Sequence, residues 1–367
     1  MLGYVTQEVD DHVIKACKGK WLVVINNWQG ACRAADAGVN VIFRWHGISG
    51  VSIKDVLNPQ VPYEQYLLNK YANTPAGDND LCDKWDAKEW LYIQEKLGRP
   101  DIWRYTSNES GLTPAVVRFH NDLTIFPSKL NFVVLNLSTG TPNYADWYLV
   151  EPLLRWAGKN PKRMKMGLHE YYYGVPYSAC AGKHPMEWIP VANWPTERPE
   201  VCWHLGRFQL LMDFAMEKNF PCPEIVITEI GHDYLNDLAP HMNIPLKDGV
   251  LTARGYKTLE LAWRKWSFVG SVDEVYYNML KDAAYTMYRN TPVVGACIFR
   301  YDVGYDWHDF ATGKLLPEGD EPLPKPEPEP EPEPEPVNNE WAIQVMDALD
   351  DLAHRVQDLQ DLVQQWI

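Results

Sequence analysis

The sequence predicts an α/β fold, a (β/α)8 TIM barrel followed by a Pro-Glu linker and a C-terminal coiled-coil helix, and three observations carry that prediction. Short apolar, β-branched runs alternate with helical stretches over residues 1–316, the pattern of a parallel sheet covered on both faces. Polar and acidic residues collect where those runs end, which in such a barrel is the mouth that holds the chemistry. Beyond Gly319 the composition changes to a Pro-Glu repeat and then to heptad spacing.

Leu2–Thr6 (LGYVT) reads as the first strand and Asp10–Lys18 as the first helix. Trp21–Ile25 (WLVVI) is the second strand, ending at Asn26, Asn27 and Trp28, and Val39–Trp45 is the third, with Arg44 and His46 at its end. The region Gly47–Pro100 holds loops and two helices, near Tyr63–Tyr71 and over Ala87–Leu97. Asp101–Thr106 is the fourth strand, followed at once by Ser107, Asn108 and Glu109. Pro114 opens the next helix, where its missing N–H costs nothing. Asn131–Leu137 is the fifth strand, a helix covers Ala145–Gly158, and Met164–His169 is the sixth strand, running into Glu170 and Tyr171 to Tyr173. A long loop rich in Tyr, Trp and Pro follows and includes Trp188 and Trp194; loops of that length in a compact domain are usually functional. The helix Cys202–Lys218 feeds the seventh strand, Ile225–Thr228, which ends at Glu229 with Gly231 permitting the turn. Two helical stretches within Ala253–Tyr288 precede the eighth strand, Val293–Phe299, with Arg300 to Asp302 beyond it.

A chain of 367 residues with 46% hydrophobic content builds one large core with a small appendage. Its 16 Trp and 20 Tyr suit either a large aromatic interior or a cleft whose flat rings stack on sugars. A net charge of −15 argues against a nucleic-acid partner, since phosphate binding needs clustered Lys and Arg. The cysteines (Cys17, Cys32, Cys82, Cys180, Cys202, Cys222 and Cys297) are scattered, odd in number and without CxxC pairs, which predicts free thiols with neither a disulfide framework nor a metal site. No Gly-rich phosphate loop, HExxH or GxSxG is present, so no cofactor is expected. No apolar run of about 18 residues and no basic-then-apolar leader is visible, pointing away from membranes and towards a cytoplasmic location, or release or display by a non-secretory route.

Residues 317–337 form the linker. Within it Pro322–Pro336 has no apolar residue after Leu323, so the segment reads as an extended polyproline II spacer reaching on the order of 45 Å. Residues 338–367 return to helix, with Ala342, Val345, Leu349, Leu352, Val356, Leu359, Val363 and Trp366 at alternating steps of three and four. That is a coiled-coil seam. A lone helix so short is marginal, so the seam predicts a homo-oligomer.

Two carboxylates stand out, Glu109 after the fourth strand and Glu229 after the seventh. Glycoside cleavage needs two carboxyl groups flanking one bond; about 5 Å apart, one protonates the leaving oxygen while the other attacks the anomeric carbon. Opposite strand ends can meet that requirement across a barrel mouth. Glu170 is a spare carboxylate, making Glu170/Glu229 the second-choice pair. Arg44, His46, His169, Trp28, Trp188 and Trp194 are the substrate-binding candidates, the last two as stacking rings on an exposed loop.

The Asn108-Glu109 pair ending strand four, together with Thr228-Glu229-x-Gly231 ending strand seven, resembles clan A of the glycoside hydrolases, the retaining (β/α)8 enzymes. The resemblance spans residues 1–316. It implies Glu109 as acid/base, Glu229 as nucleophile, Asn108 as a donor to the sugar 2-hydroxyl, and an oligo- or polysaccharide substrate with β-linkages. It further implies Tyr171 as a hydrogen-bond partner of the nucleophile and Arg44 as the strand-end arginine that keeps the nucleophile ionised. The acid requires the opposite, a raised pKa. The sequence departs from the clan pattern at Ser110, where many members have Pro, at Ile230 in place of an aromatic, and at Phe299-Arg300 in place of a strand-ending Trp. Arg44 also falls after strand three, whereas the clan's arginine follows strand two. These departures leave subfamily and substrate open. A reading from another class is a catalytically inactive carbohydrate-binding or structural display protein, part of a phage particle or surface assembly, which the spacer and seam also suit.

Overall fold

The computed structural model describes residues 2–45, 56–57, 60–71, 86–109, 111–138, 142, 144–172, 206–232, 246–247, 250–251, 277, 280–281, 288 and 291–299. His46, Trp188, Trp194, Cys82, Cys180, Cys202, Arg300 to Asp302, most of the stretch 253–288, the linker and the C-terminal helix lie outside the described residues.

In chain order the elements are β1 (Leu2–Thr6), α1 (Asp11–Cys17), β2 (Trp21–Ile25), α2 (Trp28–Asp36), β3 (Asn40–Arg44), α3 (Pro62–Tyr71), α4 (Ala87–Lys96), β4 (Trp103–Tyr105), α5 (Pro114–Ile125), β5 (Asn131–Leu137), a 3-10 segment (Tyr144–Val150), α6 (Glu151–Lys159), β6 (Met164–Tyr172), α7 (Phe208–Glu217), β7 (Ile225–His232), a small hairpin of β8 (Leu246–Lys247) and β9 (Val250–Leu251), and β10 (Val293–Phe299). Eight strands close into a barrel in the order β1-β10-β7-β6-β5-β4-β3-β2. Every neighbouring pair in it is parallel. The (β/α)8 expectation is met, and Leu2–Thr6 is its first strand, paired with both β2 and β10.

Local chemistry sets the helix starts. Asp10 Oδ1 accepts from Val13 N at 2.7 Å, Asn27 Oδ1 accepts from Gly30 N at 2.8 Å, and Thr113 caps α5 ahead of Pro114, each satisfying an N–H that has no partner inside its own helix. The helix expected over Ala145–Gly158 begins as a 3-10 segment and becomes α-helical at Glu151; Pro152, lacking an N–H, is tolerated only in that first turn.

The strand ends differ from expectation in one important place. β6 runs to Tyr172 and β7 to His232, pairing directly from His169↔Glu229 to Tyr172↔His232. Glu229 is therefore a strand residue, and Gly231 lies inside β7 instead of at a turn. Mutual pairing of two strands prolongs both past the point where their apolar runs stop, and that pairing is not written in either run alone.

Alternation places one set of side chains inside the barrel and the other under the helices. Val5, Trp21, Val23, Ile25, Ile42, Tyr105, Val133, Val226 and Cys297 form the inner cluster. Its amino-terminal end is plugged by Trp21 and Trp103, edge to face with centroids 5.5 Å apart. Lys165 Nζ lies 4.7 Å from the Trp103 ring centroid and is ion-paired with Glu224. The plug needs bare backbone beside it: a Cβ on Gly3 would lie 1.6 Å from Trp21 O. Gly3→Ala forces backbone apart, and we expect it to cost about 3 kcal/mol, read as a lower denaturant midpoint at unchanged slope; an unshifted midpoint would refute this packing.

Candidate active site

The carboxyl-terminal mouth is built by residues that alternation turns inward. In β3, Ile42 faces the interior, Phe43 faces the helices and Arg44 faces inward again at the strand's last position. Arg44 Nη1 lies 2.5 Å from Glu229 Oε1, and both side chains are almost fully buried. The guanidinium also lies over the Tyr105 ring, 5.1 Å from its centroid.

His169 joins the two carboxylates. Its Nδ1 is 3.4 Å from Glu229 Oε2 and 3.3 Å from Glu109 Oε1. On its far side Nε2 is 3.0 Å from the Tyr105 hydroxyl, which donates to Asn108 Oδ1 at 2.6 Å. Nε2 thus faces the Tyr105 hydroxyl and Nδ1 faces the two carboxylates. Asn108 is 9% exposed; with its carbonyl taken, the amide N–H groups are what it offers a ligand.

One ligand atom from each of Glu109, His169 and Glu229 lies within 4.8 Å of the others. This donor set could hold a metal ion, but the Arg44 guanidinium already sits on Glu229, and its charge opposes a second cation there. The same figure bounds the separation of the two carboxylate oxygens.

Glu109 follows β4 in left-handed backbone, φ 52°, and its N–H donates to Asn136 O at 3.0 Å. Its side chain is 43% exposed, against near-complete burial for Glu229. The hydrogen bond with His169 holds the Glu109 carboxyl below the usual range; burial pushes it up, and the charges of His169 and Arg44 lower it further. A general acid needs the opposite shift, so the raised value expected from the resemblance is not the state of the free protein.

Glu170, the alternative carboxylate, points the other way. It is fully buried and accepts from Tyr288 Oη at 2.9 Å and from Phe208 N at 3.4 Å, in the layer between strands and helices. A Glu170/Glu229 pair therefore cannot flank one bond. Burial pushes Glu170 up from the usual 4.5 to about 7. With the folded value above the unfolded one, folding favours the neutral carboxyl, and stability falls as pH rises from about 4.5 to about 7. That window is worth about 3 kcal/mol. We expect Glu170→Gln, which keeps the shape and never ionises, to gain roughly that much relative to the native chain between pH 5 and pH 8 in parallel denaturation curves; a constant difference would show that Glu170 does not titrate there.

Trp28 opens α2 and packs against Phe43, centroids 4.9 Å apart, with Arg104 over its ring at 4.8 Å. These contacts place it in the strand–helix layer, away from the mouth. Tyr171 pairs with Gly231 through its backbone. Sequence reasoning missed Tyr105, which bridges Asn108 and His169. The signal was present: in Trp103-Arg104-Tyr105 alternate residues face inward, and a tyrosine at an inward strand end brings its hydroxyl to the mouth.

Fold and site together define a (β/α)8 barrel with paired carboxylates at its carboxyl-terminal mouth. Solved structures similar to the chain include a trimodular GH5_4 subfamily endoglucanase, at 11% identity and TM-score 0.37 over 84% of this chain and 55% of that one. The GH53 catalytic domain of Ignisphaera aggregans is similar at 13% identity and TM-score 0.37, over 81% and 79%. The full-length tri-modular endo-beta-1,4-glucanase B of Bacillus halodurans is similar at 10% identity and TM-score 0.35, over 85% and 54%. The chain thus spans about half the length of the two trimodular proteins. No protein-family model matches the chain, and no curated protein matches it. Among the described residues no helix is long and apolar enough to cross a membrane.

Proposed function

We propose that the chain is a retaining glycoside hydrolase acting on β-linked glycans, with Glu229 as nucleophile and Glu109 as acid/base. The observation that carries this reading is the approach of the two carboxylates to within 4.8 Å across the mouth, the short separation that suits double displacement and leaves no room for a water on the far face of the sugar. Glu229 attacks the anomeric carbon while Glu109 gives its proton to the departing oxygen. Glu109 then takes a proton from water, which releases the sugar from Glu229.

The surroundings divide the two roles. Glu229, buried and ion-paired with Arg44, is the attacking group. Glu109 is open to solvent at its outer edge, and a sugar lying over it removes that solvent and moves the carboxyl towards the neutral form that an acid needs. Asn108 has its amide N–H groups available for a sugar hydroxyl. His46, Trp188 and Trp194 are proposed substrate contacts around this centre, and residues 338–367 a proposed self-association helix.

The test is hydrolysis of a panel of aryl β-glycosides and polymeric β-glycans, with the anomeric configuration of the first product read by NMR. Retention supports the reading and inversion overturns it. Silence across every glycan overturns it as well, in favour of the inactive binding or display protein.

A further inference from the structure

Behind the mouth, β5 carries an irregularity that the apolar run Asn131–Leu137 gives no reason to expect. Val134 pairs with Met166 and Leu137 with Leu168, so Leu135 and Asn136 together oppose Gly167, a β-bulge. Both bulge residues are left-handed, φ 69° and 35°. Such backbone is strained for residues with a side chain and persists only where its surroundings enforce it.

The enforcing contacts converge on one buried imidazole. His120 of α5 is fully buried. Its Nδ1 lies 2.8 Å from Val116 O, a carbonyl that can only accept, so Nδ1 carries the proton and Nε2 the lone pair. Burial lowers the ring's pKa to about 4, which keeps it neutral in that tautomer. Nε2 then accepts from the Thr106 hydroxyl at 2.8 Å and from the Leu135 N–H at 3.3 Å. Ser107 Oγ, 3.4 Å from Nε2, donates to Leu135 O at 3.1 Å. One residue further along the bulge, Asn136 O receives the Glu109 N–H. His120 Nε2 thus ties the tail of β4 to the bulge of β5, and Asn136 O ties the bulge to the backbone of Glu109.

We infer that His120 is a positioning residue for the acid/base: its neutral ring pins Thr106 and the Leu135–Asn136 bulge, so that Asn136 O holds Glu109 in the left-handed backbone that aims its carboxyl at His169. The inference rests on the reading of Glu109 as acid/base. His120 is outside the mouth and touches no reacting group. Its loss is read at Glu109, in the step where Glu109 gives its proton to the leaving group.

The test compares His120→Phe, which keeps a ring and loses the acceptor, with His120→Gln, whose carbonyl oxygen reaches the place of Nε2. Each is assayed by kcat/KM, which reports only the steps up to formation of the glycosyl-enzyme, on one aryl glycoside with a good leaving group and one with a poor leaving group, which depends on acid help. His120→Phe is expected to lose about tenfold or more additional turnover on the poor leaving group, with His120→Gln restoring most of it. A merely structural role lowers the folded fraction and so slows both substrates equally; equal losses, or none, overturn the inference while leaving the proposed function intact. If His120→Phe does not fold, His120→Asn takes its place against His120→Gln, since the shorter amide falls short of the Nε2 position, and the same ratio decides. If the native chain turns over no glycan, the proposed function fails, and the ring 15N shifts of His169 in the native chain, His120→Asn and His120→Gln decide the positioning alone. Displaced shifts in Asn with native shifts in Gln support it; three identical spectra overturn it.

Discussion

Glu229→Gln is expected to lower release of an activated aryl group by about 10^4-fold or more, the scale on which losing a covalent nucleophile acts. The substitution is close to isosteric, and its amide oxygen still accepts from Arg44, so the buried guanidinium keeps a hydrogen bond. What is lost is charge and nucleophilicity at the one atom that must bond to carbon. The buried Arg44–Glu229 pair means the variant also forfeits an ion pair in a dry site, which shows as a lower melting temperature. The two effects separate cleanly: substrate binding and the folded state, followed by equilibrium binding and circular dichroism, persist while turnover disappears. A variant retaining a tenth of native turnover would remove Glu229 from the nucleophile role.

The second large effect is expected at Glu109, and it depends on the leaving group. Glu109→Gln slows cleavage of a poor leaving group by about 10^2- to 10^4-fold, the usual worth of a positioned proton donor. An activated aryl group departs without that proton, so its first turnover stays fast and the second step, attack by water without a base, becomes slow. The progress curve therefore shows a burst followed by a slow steady rate. Added azide, which needs no base, restores turnover and gives a glycosyl azide of retained configuration. Equal slowing of both substrates with no azide response would assign Glu109 to binding alone.

Much of the barrel was legible because its strands are buried on both faces. Trp21–Ile25, Asn131–Leu137 and Val293–Phe299 agree with the structure residue for residue, since a short β-branched run bounded by polar residues has few other uses. Less legible was what depends on neighbouring strands. The extension of β6 to Tyr172 and β7 to His232 comes from their pairing, and the bulge at Leu135–Asn136 is enforced by His120 on a helix. Glu109 and Glu229 could be picked out as strand-end carboxylates, while their approach reflects the closure of the barrel and the reach of His169, which no local pattern encodes. Glu170 shows the limit of strand-end reasoning: one step of alternation from His169 sends its side chain under the helices. Tyr105 shows the converse, a residue that alternation would have placed at the mouth.

The central claim is a covalent bond from Glu229 to sugar, and the most direct measurement is the mass of the protein after incubation with an activated 2-fluoro-glycoside, which forms the glycosyl-enzyme and releases it slowly. The account predicts one added glycosyl unit, located by peptide mapping on Glu229 and absent from Glu229→Gln. Turnover of the parent glycoside with no adduct, or an adduct on any other residue, would contradict it.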